Sequence, residues 1–213
     1  MIELLLPSEV CTVERRDDVA APLFAEEERA ISNARAKRRL EFTTVRACAR
    51  QALARLGHPP MPIVPGESGS PDWPATVVGS MTHCDGYRAA AVAHRWDVIS
   101  VGIDAEPSCP LPDGVVDIIT VAVERRQLQT LTFNFPNLHW GRVLFSAKES
   151  VYKTWFPMTR QPLGFQDAVV EIDPETSRFQ AHILRHTGSS PRLLEGSWLV
   201  EDGLILTAIA HVV

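Results

Sequence analysis

No apolar stretch in this 213-residue sequence reaches the roughly 18 residues that a membrane-spanning helix needs, so neither a span nor a membrane partner is expected. Cysteine is scarce and scattered. Cys11, Cys48, Cys84 and Cys109 form no C-x-x-C pair, and no His/Cys group has zinc-ligand spacing. Isolated thiols of this kind suit a reducing compartment and ordinary packing, not a disulfide framework. Positive charge is not in excess either. Lys and Arg total 21 against 26 Asp and Glu, a net charge of −5, which implies no global attraction to nucleic acid or to an anionic membrane. Any anion-binding surface must be a local cluster. The opening MIELLLPSEV holds a short apolar run with no basic leader, too short for a secretory h-region, so a cytoplasmic protein is expected.

What is present is a globular composition, 45% hydrophobic and 22% charged, in a length that suits one large domain or two of roughly 100 residues. Residues 2–6 read as a short strand stopped by Pro7, and Glu26-Glu27-Glu28 as a helix N-terminus. Phe42, Val45, Ala49, Leu53 and Leu56 recur at helical spacing, which predicts a long helix over 34–56 closed by Gly57. Residues 76–82 and 87–94 read as strands joined by a tight turn at Asp85-Gly86. Short helical pieces are expected in 111–136, with Glu124-Arg125-Arg126 on a solvated face. A second long helix follows over 138–156, ended by Pro157. Strands are expected at 164–172, 179–185, 197–200 and 204–212, the last two joined by Asp202-Gly203. The order is helix-then-strands twice.

Three stretches carry chemistry. The first long helix has seven basic residues (Arg35, Lys37, Arg38, Arg39, Arg46, Arg50, Arg55) against one acid, Glu41. That is either a solvated face or a phosphate site. On a strand over 98–106, Ile99, Val101 and Ile103 would face the core, while Ser100, Gly102, Asp104 and Glu106 face the other way. Two carboxylates about 4 Å apart repel by a few kcal/mol at an effective dielectric near ~20. Either water screens them at an exposed strand end or a hard cation such as Mg²⁺ sits between them. In FSAKESVYKTW, residues 145–155, Glu149 and Lys153 lie four apart on one helix face. They form a surface salt bridge or act on one object. Ser146-x-x-Glu149 also fits a capping box, although Ser146 would then fall mid-helix.

Several ordered stretches together resemble the 4′-phosphopantetheinyl transferases that activate siderophore, polyketide and peptide synthetases, and the actinobacterial members most closely. They are Gly102-Ile103-Asp104-Ala105-Glu106, and some forty residues on Phe145-Ser146-x-Lys148-Glu149-Ser150-x-x-Lys153. Upstream stand Lys37-Arg38-Arg39-x-Glu41-Phe42-x-x-Val45-Arg46, Trp73-Pro74 and Gly79-Ser80-Met81-Thr82-His83-Cys84, and Leu138-His139-Trp140 precedes the second helix.

The resemblance implies an α+β fold of two pseudo-symmetric halves, each a mainly antiparallel sheet packed with a long helix. The halves are expected at residues 1–103 and 104–213, with coenzyme A between them as co-substrate. It implies Mg²⁺ (Mn²⁺ as an alternative) held by Asp104, Glu106 and Glu149 with a backbone contribution from Ala105. By the same resemblance, Glu149 is also a candidate base for the carrier serine, and Lys148 and Lys153 neutralise phosphate oxygens. Arg38, Arg46 and His83 match positions that contact coenzyme A phosphates, Thr82 and Asp104 line the same site, and Phe145 and Tyr152 border the pantetheine channel. Apo acyl and peptidyl carrier proteins are the implied partners. A monomer is expected, since one chain supplies both halves. Three positions depart from the pattern: Pro65-Gly66-Glu67-Ser68 occupies a loop where relatives carry a lysine, Gly141 replaces an acid, and Pro162 replaces an aromatic. The loop 65–68 is still expected to meet coenzyme A, with one phosphate contact either weaker or reached by backbone alone.

Overall fold

The computed structural model describes residues 1–185 and 190–213. Its strands form two antiparallel sheets. The first comprises β1 (Cys11–Arg15), β2 (Val77–Cys84) and β3 (Tyr87–His94) in the order β1-β3-β2. The second runs β4-β8-β7-β6-β5, from β4 (Val98–Pro107), β5 (Ala168–Asp173), β6 (Arg178–Ile183), β7 (Leu193–Glu201) and β8 (Leu204–Val212). Among the helices, α2 (Ala36–Arg55) covers the first sheet and α5 (Trp140–Thr159) the second. Shorter helices are α1 (Ala25–Ala30), α3 (Val115–Ile119) and α4 (Ala122–Asn134). The architecture is the expected α+β pair. Chain membership passes from one sheet to the other between β3 and β4, so position 103/104 lies inside β4.

The two sheets meet edge to edge at β2 and β4 without a backbone ladder. Hydroxyls bridge the seam instead: the Ile103 N–H donates to Ser80 Oγ at 3.1 Å and the Ala105 N–H to Thr82 Oγ1 at 3.0 Å. Behind the seam one apolar cluster draws on both halves, including Tyr87, Ala89, Val101, Ile103 and Leu206. A buried backbone donor without a partner is costly, so the Ser80 and Thr82 side chains are what let two sheet edges stay close. Gly102 brings α5 close from the other side. A Cβ there would run into the Ser150 carbonyl and the Thr154 hydroxyl, so its missing side chain makes room for a helix and not for a ligand.

Several local expectations need correcting. Residues 2–6 form no strand: Ile2–Leu5 is a 3₁₀ turn, pinned because the Met1 ammonium and the Ile2 N–H both bind Glu14, at 2.7 and 2.9 Å. The strand of that region is β1, five residues too short to stand out in the pattern. Ile99 faces solvent, because the register shifts between Val98 and Ser100 and puts Val98 in the core instead. Pro157 does not end α5, which runs to Thr159 and closes where left-handed Arg160 donates its N–H to the Phe156 carbonyl. Proline in the last turn forfeits one bond without blocking that closure. Glu124 is buried, not solvated, and binds Lys148 at 2.8 Å. The hairpin turns at Asp85-Gly86 and Asp202-Gly203 fall where expected.

Candidate active site

A cleft of about 440 Å³ opens between α2 and α5 above the β2/β4 seam. Its walls bring together residues far apart in sequence: Arg38 and Arg46 from α2, Pro65 and Ser68 from the loop, Thr82 and His83 from β2, Asp104 from β4, and Glu149, Tyr152 and Lys153 from α5. Helical spacing and strand alternation thus converge on one space.

One end is basic. Arg38 Nη1 meets His83 Nε2. Burial, then the Arg38 charge beside it, push the His83 imidazole below its ordinary range, with Glu41 opposing. The nearest counter-charge to both groups is Glu41, 3.8 Å from Arg38 and 3.9 Å from His83. Arg46 is buried with its guanidinium over the Phe42 ring, and its Nε donates to the Ile63 carbonyl at 2.8 Å. Burial lowers its pKa to about 10 against the pull of Glu27. Four of the other five basic residues are spoken for: Arg39 pairs with Glu28, Arg50 with Glu27 at 2.8 Å, and Lys37 with Asp85 at 3.2 Å, while Arg55 donates to the Thr12 carbonyl at 2.6 Å, and Arg35 is exposed. The acidic run read as a helix start is also a counter-charge to α2, and Glu27 is fully buried in that role.

The loop contributes Pro65 and Ser68 to the cleft, together with Gly69, Ser70 and Pro71; Gly66 and Glu67 are not among the lining residues. Ser68 at φ 51° and Gly69 at φ 75° are both left-handed, and the loop closes on itself through the Gly66 N–H to the Ser70 carbonyl at 2.7 Å.

The β4 and α5 side is acidic with one cation. Lys153 Nζ lies 2.7 Å from Asp104 Oδ1 and 3.1 Å from the Ile103 carbonyl. Ser146 donates to Asp104 Oδ2 at 2.8 Å and Thr82 to Oδ1 at 3.4 Å. Asp104 is therefore a buried carboxylate whose position is set by three elements. Glu149 has no hydrogen-bond or ion-pair partner among the described residues, and burial raises its pKa, with Lys153 lowering and Asp104 raising it. Burial also raises Glu106, followed by the charge of Asp104. Glu106 is held by Arg142, Nη1 to Oε2 at 2.7 Å.

Asp104 thus raises both Glu106 and Glu149, and a hard cation would relieve that repulsion. Among the described residues, however, no three His, Cys, Asp or Glu side chains gather closely enough to hold a metal. The donors have the right chemistry, and their present partners are Lys153 and Arg142. Ala105 sends its N–H across the seam to Thr82, and its carbonyl points to the same side, as in any strand residue.

Lys148 lies elsewhere than expected. It lines no part of the cleft. Its buried ammonium binds Glu124 Oε1 at 2.8 Å and the carbonyls of Phe165 and Ala168 at 2.6 and 2.8 Å. Its side chain borders a second chamber of about 290 Å³, walled also by Leu163, Gly164 and Phe165, which shares Glu149 and Tyr152 with the cleft. Phe145 backs this chamber by stacking on Phe165 at 5.7 Å. Sequence reading missed Ser146, Arg142 and Glu124 as partners of the site. The only signal for Ser146 was its place in the F-S-x-K-E run, and its bond to Asp104 spans 42 positions.

Residues 26–93 match the family model described as the 4′-phosphopantetheinyl transferase N-terminal domain, and residues 100–208 that of the 4′-phosphopantetheinyl transferase superfamily. The chain is 48% identical over 218 residues to 4′-phosphopantetheinyl transferase Svp of Streptomyces mobaraensis, covering 99% of this chain and 89% of that protein. It is 45% identical over 226 residues to Npt of Nocardia iowensis, covering 99% and 100%. It is 51% identical over 193 residues to PptT of Mycobacterium tuberculosis, covering 86% and 84%.

Proposed function

The chain belongs to the 4′-phosphopantetheinyl transferase superfamily, and we propose that it moves the phosphopantetheine arm of coenzyme A to a serine of apo acyl and peptidyl carrier proteins. The observation that carries this reading is that one cleft gathers the cations Arg38, Arg46 and Lys153 and the imidazole of His83 with the carboxylates Asp104 and Glu149. A ligand that carries both a phosphate and a pyrophosphate has the charges to meet that set of cations.

In this reading Arg38, Arg46 and His83 bind the terminal phosphate, with Ser68 and Pro65 closing over it. Arginine suits the task because its planar fork meets two oxygens. Lys153 neutralises the pyrophosphate. Thr82 and Ser146 keep Asp104 in place. The serine hydroxyl attacks the β-phosphate, the phosphoanhydride bond breaks, and adenosine 3′,5′-bisphosphate leaves with the bonding pair. Glu149 takes the hydroxyl proton; it is the one carboxylate of the three without a partner, and its raised pKa makes it a better base than a surface glutamate. The pantetheine end would pass Tyr152 into the chamber beside Phe165. Mg²⁺, or Mn²⁺ in its place, would be held by Asp104, Glu106, Glu149 and the Ala105 carbonyl, and supplies Lewis-acid neutralisation of pyrophosphate charge when bound.

Both walls of the cleft come from one chain, which supports a working monomer. Among the described residues no helix is long and apolar enough to cross a membrane, and four free thiols suit the cytoplasm. The test is intact mass spectrometry of a panel of apo carrier proteins with coenzyme A and Mg²⁺. Gain of the phosphopantetheine mass is expected; no gain on any carrier, with folded enzyme, would end the proposal.

A further inference from the structure

Lys148 and Glu149 are neighbours on α5, yet their side chains leave the helix about 100° apart and meet different surroundings. An ammonium has three N–H groups, and those of Lys148 are matched by three acceptors: Glu124, the Phe165 carbonyl and the Ala168 carbonyl. No donor is left for a phosphate. The two carbonyls stand at either end of a short 3₁₀ turn, Phe165–Asp167, that walls the chamber next to Glu149. Glu124 is itself tied down, accepting from the Val170 N–H at 2.8 Å and the Val121 N–H at 2.9 Å. One buried charge pair therefore fastens α4, α5, the turn and the first residues of β5 to each other.

We propose that Lys148 is a positioning residue, fixing with Glu124 the wall of the chamber that receives the pantetheine end of coenzyme A, and not a ligand to its phosphates. The inference rests on the transferase reading above. Removing the ammonium leaves Glu124 as a buried unpaired carboxylate and strips two carbonyls of their donor, so the turn must reset. The damage falls on the chamber and spares the basic end of the cleft. Glu124 lies outside both cavities, and its charge matters only through Lys148.

The experiment titrates coenzyme A and adenosine 3′,5′-bisphosphate separately, by calorimetry, into the parent protein and into Lys148→Met, Glu124→Gln and Lys153→Met, with KM and kcat measured alongside. Lys148→Met and Glu124→Gln should each weaken coenzyme A about tenfold, and raise its KM to match, while the bisphosphate changes by less than about twofold. Lys153→Met should weaken both ligands. The proposal is overturned if Lys148→Met weakens the bisphosphate as strongly as Lys153→Met does. It is equally overturned if Glu124→Gln leaves coenzyme A affinity and KM at parental values. Should Lys148→Met not fold, Glu124→Gln decides by that second criterion, since it keeps the side-chain shape and one acceptor oxygen while removing the charge and the acceptor of one of the Val121 and Val170 N–H groups. A parent protein that binds neither compound would count against the transferase reading instead.

Discussion

Lys153 and Asp104 hold each other across the cleft, Nζ to Oδ1 at 2.7 Å, one from α5 and one from β4. Lys153 is partly open to the cleft, whereas Asp104 is buried. The pair is therefore asymmetric: the lysine can turn to a ligand, but the aspartate cannot turn away. Lys153→Met should leave a folded protein, because Ser146 and Thr82 still donate to the carboxylate. The cost should be about 1–3 kcal/mol, read by denaturant unfolding, with loss of transfer far beyond what that destabilisation explains. Asp104→Asn removes the negative charge that pairs with Lys153 and should abolish transfer too. Near-parental turnover in either variant would remove the pair from the chemistry.

Glu149 gives a pH signature with a fixed sign. Burial raises its pKa above 4.5, so the folded state holds this proton more tightly than the unfolded chain. The stability it contributes is complete below pH 4.5 and is lost as pH rises through the raised value. Glu149→Gln places a permanently neutral group there. The variant should be inactive, yet melt at a higher temperature than the parent at pH 7, with the gap closing as pH falls below 4.5. Melting curves across pH 4–8, taken without ligand, check it; a variant less stable than the parent at pH 7 would show that the Glu149 carboxylate is stabilised, not strained, in the free protein.

These two residues also mark where sequence reading succeeded and where it stopped. Glu149 and Lys153 were legible because an i,i+4 pair on a long amphipathic helix must share a face. Asp104 was legible because strand alternation put it opposite Val101 and Ile103. The repeated order of helix and strands was consistent with two halves, and the two-sheet layout was what the family resemblance implied. What sequence could not supply was the identity of partners made by the fold. Lys148 read as a phosphate ligand because nothing local to it reveals Glu124, 24 positions away. Arg39 and Arg50 read as part of a possible phosphate surface because their pairing with Glu28 and Glu27 depends on how α1 folds back. Ile99 was misplaced by one register shift, which an alternating pattern cannot register.

Gly102 tests the seam. A methyl group there would meet the Ser150 carbonyl, the Thr154 hydroxyl and, at 2.8 Å, the Thr154 nitrogen. Two of these are backbone atoms of a buried helix and cannot swing aside. Gly102→Ala should therefore push α5 off β4 and cost upwards of about 1–3 kcal/mol. It should also part Lys153 from Asp104, so that coenzyme A affinity falls along with stability. The check pairs a melting curve with calorimetry at a temperature where the variant is folded. Full stability with normal affinity would mean that α5 does not rest on β4 as described.

Metal binding should be coupled to coenzyme A binding, because the carboxylates already have cations. Asp104 is paired with Lys153 and Glu106 with Arg142, both at 2.7 Å, and a divalent ion has to compete with each. Phosphate oxygens offer Lys153 another partner and release Asp104. Mg²⁺ alone should then stabilise the protein little, coenzyme A alone moderately, and both together by more than the sum. A ligand at one hundred times its dissociation constant contributes about 2.7 kcal/mol, and for a chain of this length that is a melting shift of roughly 5–10 °C. Arg142→Met frees Glu106, so in that variant Mg²⁺ alone should give a larger shift than in the parent. The linkage is reciprocal, and Mg²⁺ must tighten coenzyme A by the factor by which coenzyme A tightens Mg²⁺. Strictly additive shifts, or a parental Mg²⁺ response in Arg142→Met, would mean that these ion pairs do not guard the metal's ligands.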